Sequence, residues 1–126
     1  MKKTILTLLT VSLLSIVLIK CSTDDVLEVF IPNISNQWES DRNTKFFFVA
    51  SQDSVSASAF TGSEQNENFE NFDLEGSFNR YDVEFTFVDG PEDGVKYTGQ
   101  FIKNSNPLRM RVKGTNGVTL NITQVP

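Results

Sequence analysis

From Trp38 to the end of the chain, apolar and polar residues alternate with a period of two. Turn signals rich in Asn, Asp, Gly and Pro interrupt the alternation at short intervals. A period of two is the signature of strands with one buried face. The pattern predicts strands at 36–41, 44–51, 54–61, 70–79, 81–88, 95–103, 107–114 and 117–125. Residues 62–69, rich in Glu and Asn, read as a polar loop. No amphipathic helix of useful length is visible after Cys21. Many short strands at close, regular spacing suggest an up-and-down barrel or a sandwich.

Facing residues test that reading. A two-residue turn at Arg80-Tyr81 sets Phe78 opposite Val83, Gly76 opposite Phe85 and Leu74 opposite Phe87, all on one face. An even register of the next strand sets Gly99 opposite Phe85, which would then lie between two glycines. Alternating large and small residues fill a narrow barrel interior. In the last hairpin a three-residue loop, Thr115-Asn116-Gly117, pairs Val112 with Leu120 and Met110 with Ile122, with Gly117 in the left-handed region. A weak internal repeat, Leu74-Glu75-Gly76-Ser77-Phe78 and Tyr97-Thr98-Gly99-Gln100-Phe101, reads as two equivalent strands.

The first residues follow another pattern. Lys2 and Lys3 precede an apolar run of 16 residues, Thr4 to Ile19. A basic start and a short apolar stretch mark a secretory signal. At about 1.5 Å per residue such a helix spans about 24 Å, short of the ~30 Å hydrocarbon core. An A-x-A cleavage pattern is absent. Leu18-Ile19-Lys20-Cys21 resembles a lipobox, the bacterial lipoprotein motif whose cysteine becomes the lipidated first residue. Lys20 departs from that motif, which has Gly, Ala or Ser there. Ser22-Thr23-Asp24-Asp25 resembles the export signal of surface-exposed lipoproteins in Bacteroidota; a solvated acidic tether is the other reading. The alternative to lipidation is an uncleaved N-terminal anchor with a free thiol at Cys21. Two or more acyl chains would give stable anchoring.

Three segments follow: a signal peptide at 1–20, the lipidated cysteine and tether at 21–35, and the β domain at 36–126. Within the tether, Val26 to Ile31 form an apolar patch closed by Pro32, a strand or a short docking segment.

Composition narrows the function classes. Without residues 1–20 the chain has 106 residues, enough for one domain. It then carries 8 basic and 16 acidic side chains, a formal charge of −8, which argues against nucleic acid as a partner. With one cysteine no intramolecular disulfide forms. With no histidine, Ser-His-Asp and Cys-His catalysis and His-ligated metals are excluded. No EF-hand spacing is present. No cofactor, metal or catalytic residue is expected. All 11 phenylalanines follow Cys21, so stability must come from core packing.

Trp38 opens the β region, as a tryptophan often opens lipocalin-like and avidin-like barrels. The resemblance covers residues 36–126. Lipocalins carry Gly two residues before that Trp, where this chain has Asn36, and a late Arg that the strand at 117–125 lacks. The resemblance implies architecture and no ligand residues.

Several surface groups invite a functional reading. Arg109, Arg111 and Lys113 alternate with core residues and should form a basic stripe on the outer face. Residues 95–126 hold five bases and no acid, whereas residues 64–93 hold ten acids and one base, Arg80. The stripe would suit an anionic glycan, a lipid headgroup or an acidic partner, or serve as a solvated face that discourages edge pairing. Asp73, Glu75, Asp82 and Glu84 face outward; paired carboxylates can hydrolyse glycosides, but only in a cleft. Asp89, Glu92 and Asp93 crowd a Gly- and Pro-rich turn that reads as a plain turn or a calcium loop. Asp53-Ser54-Val55 resembles the O-glycosylation signal of Bacteroidota, with Ser54 as acceptor. Trp38 and the phenylalanines read as core rather than as a ligand pocket.

The expectation is an all-β, single antiparallel eight-stranded barrel, monomeric and carried on an outer-membrane lipoprotein that is surface-exposed. It is expected to be a non-enzymatic module for a glycan, a small ligand or an envelope protein. The alternative is an inhibitor or immunity-type lipoprotein with one protein partner, and a minor one is a carboxylate hydrolase.

Overall fold

A computed structural model describes residues 30–126. The signal helix, Cys21 and Ser22 to Asp25 lie outside the described residues.

Eight antiparallel strands follow one another around a closed barrel. They are β1 (Gln37–Ser40), β2 (Lys45–Ala50), β3 (Ala57–Gln65), β4 (Asn71–Asn79), β5 (Asp82–Phe87), β6 (Lys96–Phe101), β7 (Arg109–Gly114) and β8 (Thr119–Gln124). Closure comes from β1 pairing with β8, Trp38 opposite Gln124 and Ser40 opposite Ile122. Full closure leaves no sheet edge to attract another chain. Alternation places Phe46 and Phe48 inside and Phe47 outside, and likewise buries Val83, Phe85 and Phe87.

The interior is packed with rings. Trp38, Phe46, Phe48, Phe60, Phe78, Phe85, Phe87, Tyr97 and Phe101 are all buried, with aliphatic side chains from β4, β7 and β8 filling between them. Phe85 sits at the centre, its ring centroid 5.3 Å from Tyr97 and about 6 Å from Phe46, Phe48 and Phe87.

The β4–β5 and β7–β8 hairpins have the expected registers. Phe78 faces Val83, Gly76 faces Phe85 and Leu74 faces Phe87; Val112 faces Leu120 and Met110 faces Ile122, with Gly117 at φ 85°. The β5–β6 register differs from expectation by two residues. Phe85 faces Tyr97, and Gly99 faces Val83. The loop of residues 88–95 closes with Gly94 N–H donating to Phe87 O, which fixes this offset. Gly99 answers to β7 instead: a methyl group there would overlap the carbonyl oxygen of Arg111. Gly99→Ala should therefore lower stability by about 2 kcal/mol through a forced backbone shift, read from the urea midpoint.

The expected third strand, 54–61, and the expected loop, 62–69, are also corrected. The strand runs on to Gln65 and the loop is residues 66–70. Gly62, Ser63, Glu64 and Gln65 look like loop residues, yet all pair on both sides, with β2 and β4. At its start, Ser54 has φ 58° and belongs to the preceding loop.

Residues 30–35 form no strand; they dock across the barrel end where the chain enters. Ile34 is buried, and its carbonyl accepts a 2.9 Å hydrogen bond from the Trp38 indole N–H. Phe30 stacks on Tyr81 at 4.1 Å. Gln124 Nε2 donates to Asn33 O at 2.7 Å. This entry end also carries loops 51–56 and 102–108 and the Arg80-Tyr81 turn. The far end carries loops 41–44, 66–70, 88–95 and 115–118.

Candidate functional site

The far end is closed by charge. Glu64 occupies an inward position of β3, on the same face as Phe60, and is buried. Arg42, from the β1–β2 loop, reaches over it with two hydrogen bonds, Nε to Oε2 at 2.8 Å and an Nη to Oε1 at 2.7 Å. The Thr44 hydroxyl donates to the same Oε2 at 2.6 Å and lies 2.6 Å from Ser40 Oγ. The guanidinium also meets Glu92 Oε1 at 2.7 Å. Glu92 comes from loop 88–95, and its other oxygen accepts from the Tyr97 hydroxyl and from Asn116 Nδ2 at 2.8 Å. One network thus ties three of the four far-end loops to β3 and β6.

Electrostatics favour the charged forms of Glu92 and Arg42. Burial alone would raise the Glu92 pKa, but hydrogen bonds from Tyr97 and Arg42, the Arg42 charge and Asn116 together hold it below the ordinary carboxylate range. Burial likewise opposes the charge on Arg42, and its bonds to Glu64 and Glu92 outweigh that and raise its pKa. Burial, reinforced by Glu92, raises the Tyr97 pKa, so its hydroxyl stays protonated as a donor.

Because the Glu92 pKa is lower in the folded state, its contribution is present above the unfolded value and is lost as pH falls through the folded one. Between about pH 7 and pH 3, Glu92→Gln should therefore lose less stability than the parent chain, measured by urea unfolding at each pH. An equal loss in both would remove Glu92 from the acid response.

Every carboxylate oxygen of Glu64 and Glu92 already has a partner. The network spans the far end as a plug. The small cavity beside it, lined by Glu64, Phe72, Phe87, Pro91 and Glu92, has a volume of about 60 Å³, room for little more than a water or two. No set of three or more acidic, Cys or His side chains is placed to hold a metal among the described residues.

The outer wall is different. Arg109, Arg111 and Lys113 stand exposed along β7 while Met110 and Val112 point inward, as the alternation requires. Among the described residues none of the three makes an ion pair; the bridges there are Arg42–Glu64, Arg42–Glu92 and Lys96–Glu84. Toward the entry end the stripe runs into a shallow groove over β5, β6 and β7, where Arg80, Lys103 and Arg111 surround Tyr81, Gln100 and Phe101. Lys103 Nζ lies 4.8 Å over the Tyr81 ring.

The other expected positions stay apart from this surface. Asp73, Glu75, Asp82 and Glu84 lie on the outward-facing positions of β4 and β5. Glu84 is paired with Lys96 at 3.1 Å, and Asp82 accepts from Gln100 Nε2 at 2.9 Å. In loop 88–95, Asp89 accepts from the backbone N–H of Asp73 while Glu92 turns inward, so its carboxylates serve separate ends. Ser54 is exposed in loop 51–56, beside the docked segment.

Sequence reasoning missed the Arg42–Glu64–Glu92 network. Its one signal was an acid in phase with the inward residues Phe60 and Gly62. No protein-family model, curated protein or solved structure matches the chain.

Proposed function

We propose that the chain is an extracytoplasmic lipoprotein, held in the outer membrane by lipid on Cys21 and exposed at the surface through Ser22-Thr23-Asp24-Asp25. The barrel is a non-enzymatic binding module, and its ligand meets the outside of the barrel. One observation carries the site: the interior is filled by aromatic rings and both ends are plugged, by residues 30–35 and by the Arg42–Glu64–Glu92 network. The surface that remains with directed chemistry is the exposed row Arg109, Arg111 and Lys113, joined to Arg80 and Lys103. Its ligand is anionic.

Salt-dependent binding to an immobilised polyanion is the expected result. Arg109→Glu, Arg111→Glu and Lys113→Glu together should abolish it without moving the thermal midpoint by more than a few degrees, since all three side chains are exposed. Unchanged binding in the triple variant would overturn the assignment.

A second reading has its own support. Phe69, Val88 and Val118 are exposed on three of the far-end loops, which suits an inhibitor or immunity-type lipoprotein gripping one protein. A stoichiometric partner lost with Phe69→Ser and retained by the triple variant would favour it.

A further inference from the structure

We infer that the entry-end groove binds the phosphate of anionic lipid headgroups in the membrane that carries the Cys21 lipid, so that the barrel rests on that membrane by its β5–β6–β7 side. The inference rests on the anchored, anion-binding reading above and names the ligand of that surface.

The chain enters the barrel at Phe30, whose ring stacks on Tyr81, and Tyr81 lines the groove. Eight residues, 22–29, separate Phe30 from Cys21. Fully extended, they reach about 30 Å at most. The groove opens beside the point where this short connection meets the barrel, so a lipid on Cys21 keeps that point within about 30 Å of the bilayer surface.

Arg80, Lys103 and Arg111 converge on the groove, and the one acid lining it, Asp82, is engaged by Gln100. Arg109 lies on the same wall, two residues along β7 from Arg111. Lys103 makes a cation–π contact with Tyr81 at 4.8 Å, which places its ammonium near the rim. The opposite wall offers no comparable surface: β2 presents Lys45, Phe47 and Val49 outward. Basic side chains near an anionic leaflet gain several-fold in binding each, and the gain falls off within a Debye length. The Cys21 lipid supplies anchoring; the groove selects which side of the barrel faces the surface.

The test uses the lipidated chain purified from membranes, with acyl chains verified by intact mass. It is reconstituted into vesicles of phosphatidylcholine alone or of phosphatidylcholine with phosphatidylglycerol. Lysines are acetylated briefly and read by peptide mass spectrometry. Labelling of Lys103 should fall about fivefold on the anionic vesicles, while Lys45, on the opposite wall, stays unchanged. Arg111→Gln should restore part of the labelling, and high salt most of it. Equal Lys103 labelling on both vesicles overturns the inference. So does protection already complete on neutral vesicles, which would mean that the acidic segment containing Asp24, Asp25 and Glu28 fills the groove. Protection on neutral vesicles by added inorganic phosphate alone also overturns it, in favour of a free anion. A chain without acyl groups would overturn the anchored reading itself; a lipidated chain with equal labelling overturns only the groove.

Discussion

Arg42→Met should destabilise the barrel by about 3–5 kcal/mol, the loss typical when one partner of a buried ion pair is removed. Glu64 is the reason. Its carboxylate is buried on the inner face of β3 and takes two hydrogen bonds from the guanidinium. Without Arg42 it would keep the Thr44 hydroxyl and lose its countercharge. Glu92 would lose its cation too, leaving loop 88–95 tied to the far end through Tyr97 and Asn116 alone. The double variant Arg42→Met with Glu64→Leu should recover much of the loss, because replacing both charges by apolar groups removes the unpaired one. Urea unfolding of the single and double variants checks this. A single variant as stable as the parent would show that water replaces the guanidinium, and the network would not be a plug.

Phe85→Ala should cost about 3–5 kcal/mol, the range for emptying a large aromatic from a core. Four rings surround Phe85, and on its cross-strand side Gly76 offers no side chain to collapse inward. The void therefore persists. The same substitution at Phe69, which is 78 % exposed, should change stability little. Thermal or urea midpoints of the two variants make the comparison. A Phe85→Ala loss as small as that at Phe69 would mean a loosely filled interior, and the argument for an external ligand would fail with it.

The parts of the fold legible in the sequence were those fixed by short-range geometry. A two-residue turn at Arg80-Tyr81 leaves one register for β4 and β5, so the facing of Phe78, Gly76 and Leu74 followed from counting. Gly117 did the same for the last hairpin. Loop 88–95 is too long to transmit a register, and two offsets of β6 keep the same face inward. The choice between them rests on the Gly94 to Phe87 hydrogen bond and on the close approach of β7 to Gly99, both of which appear only in three dimensions.

The candidate sites divide in the same way. The stripe Arg109, Arg111 and Lys113 was readable because exposed alternation is a local property of one strand. The far-end network was not. Glu64 in a run of small polar residues has the composition of a loop, and Arg42 in a tight turn has that of a solvated charge. Their meaning depends on a partner 22 positions away and on Glu92, further along the chain. A buried acid is legible as strand only once its base is placed.

The anchored-module account is tested most directly by intact mass spectrometry of the membrane-fraction protein, with Cys21→Ala as the control. The expected result is a chain that begins at Cys21 and carries acyl groups, with the control failing to gain them. An unlipidated, full-length mass beginning at Met1 would contradict the account.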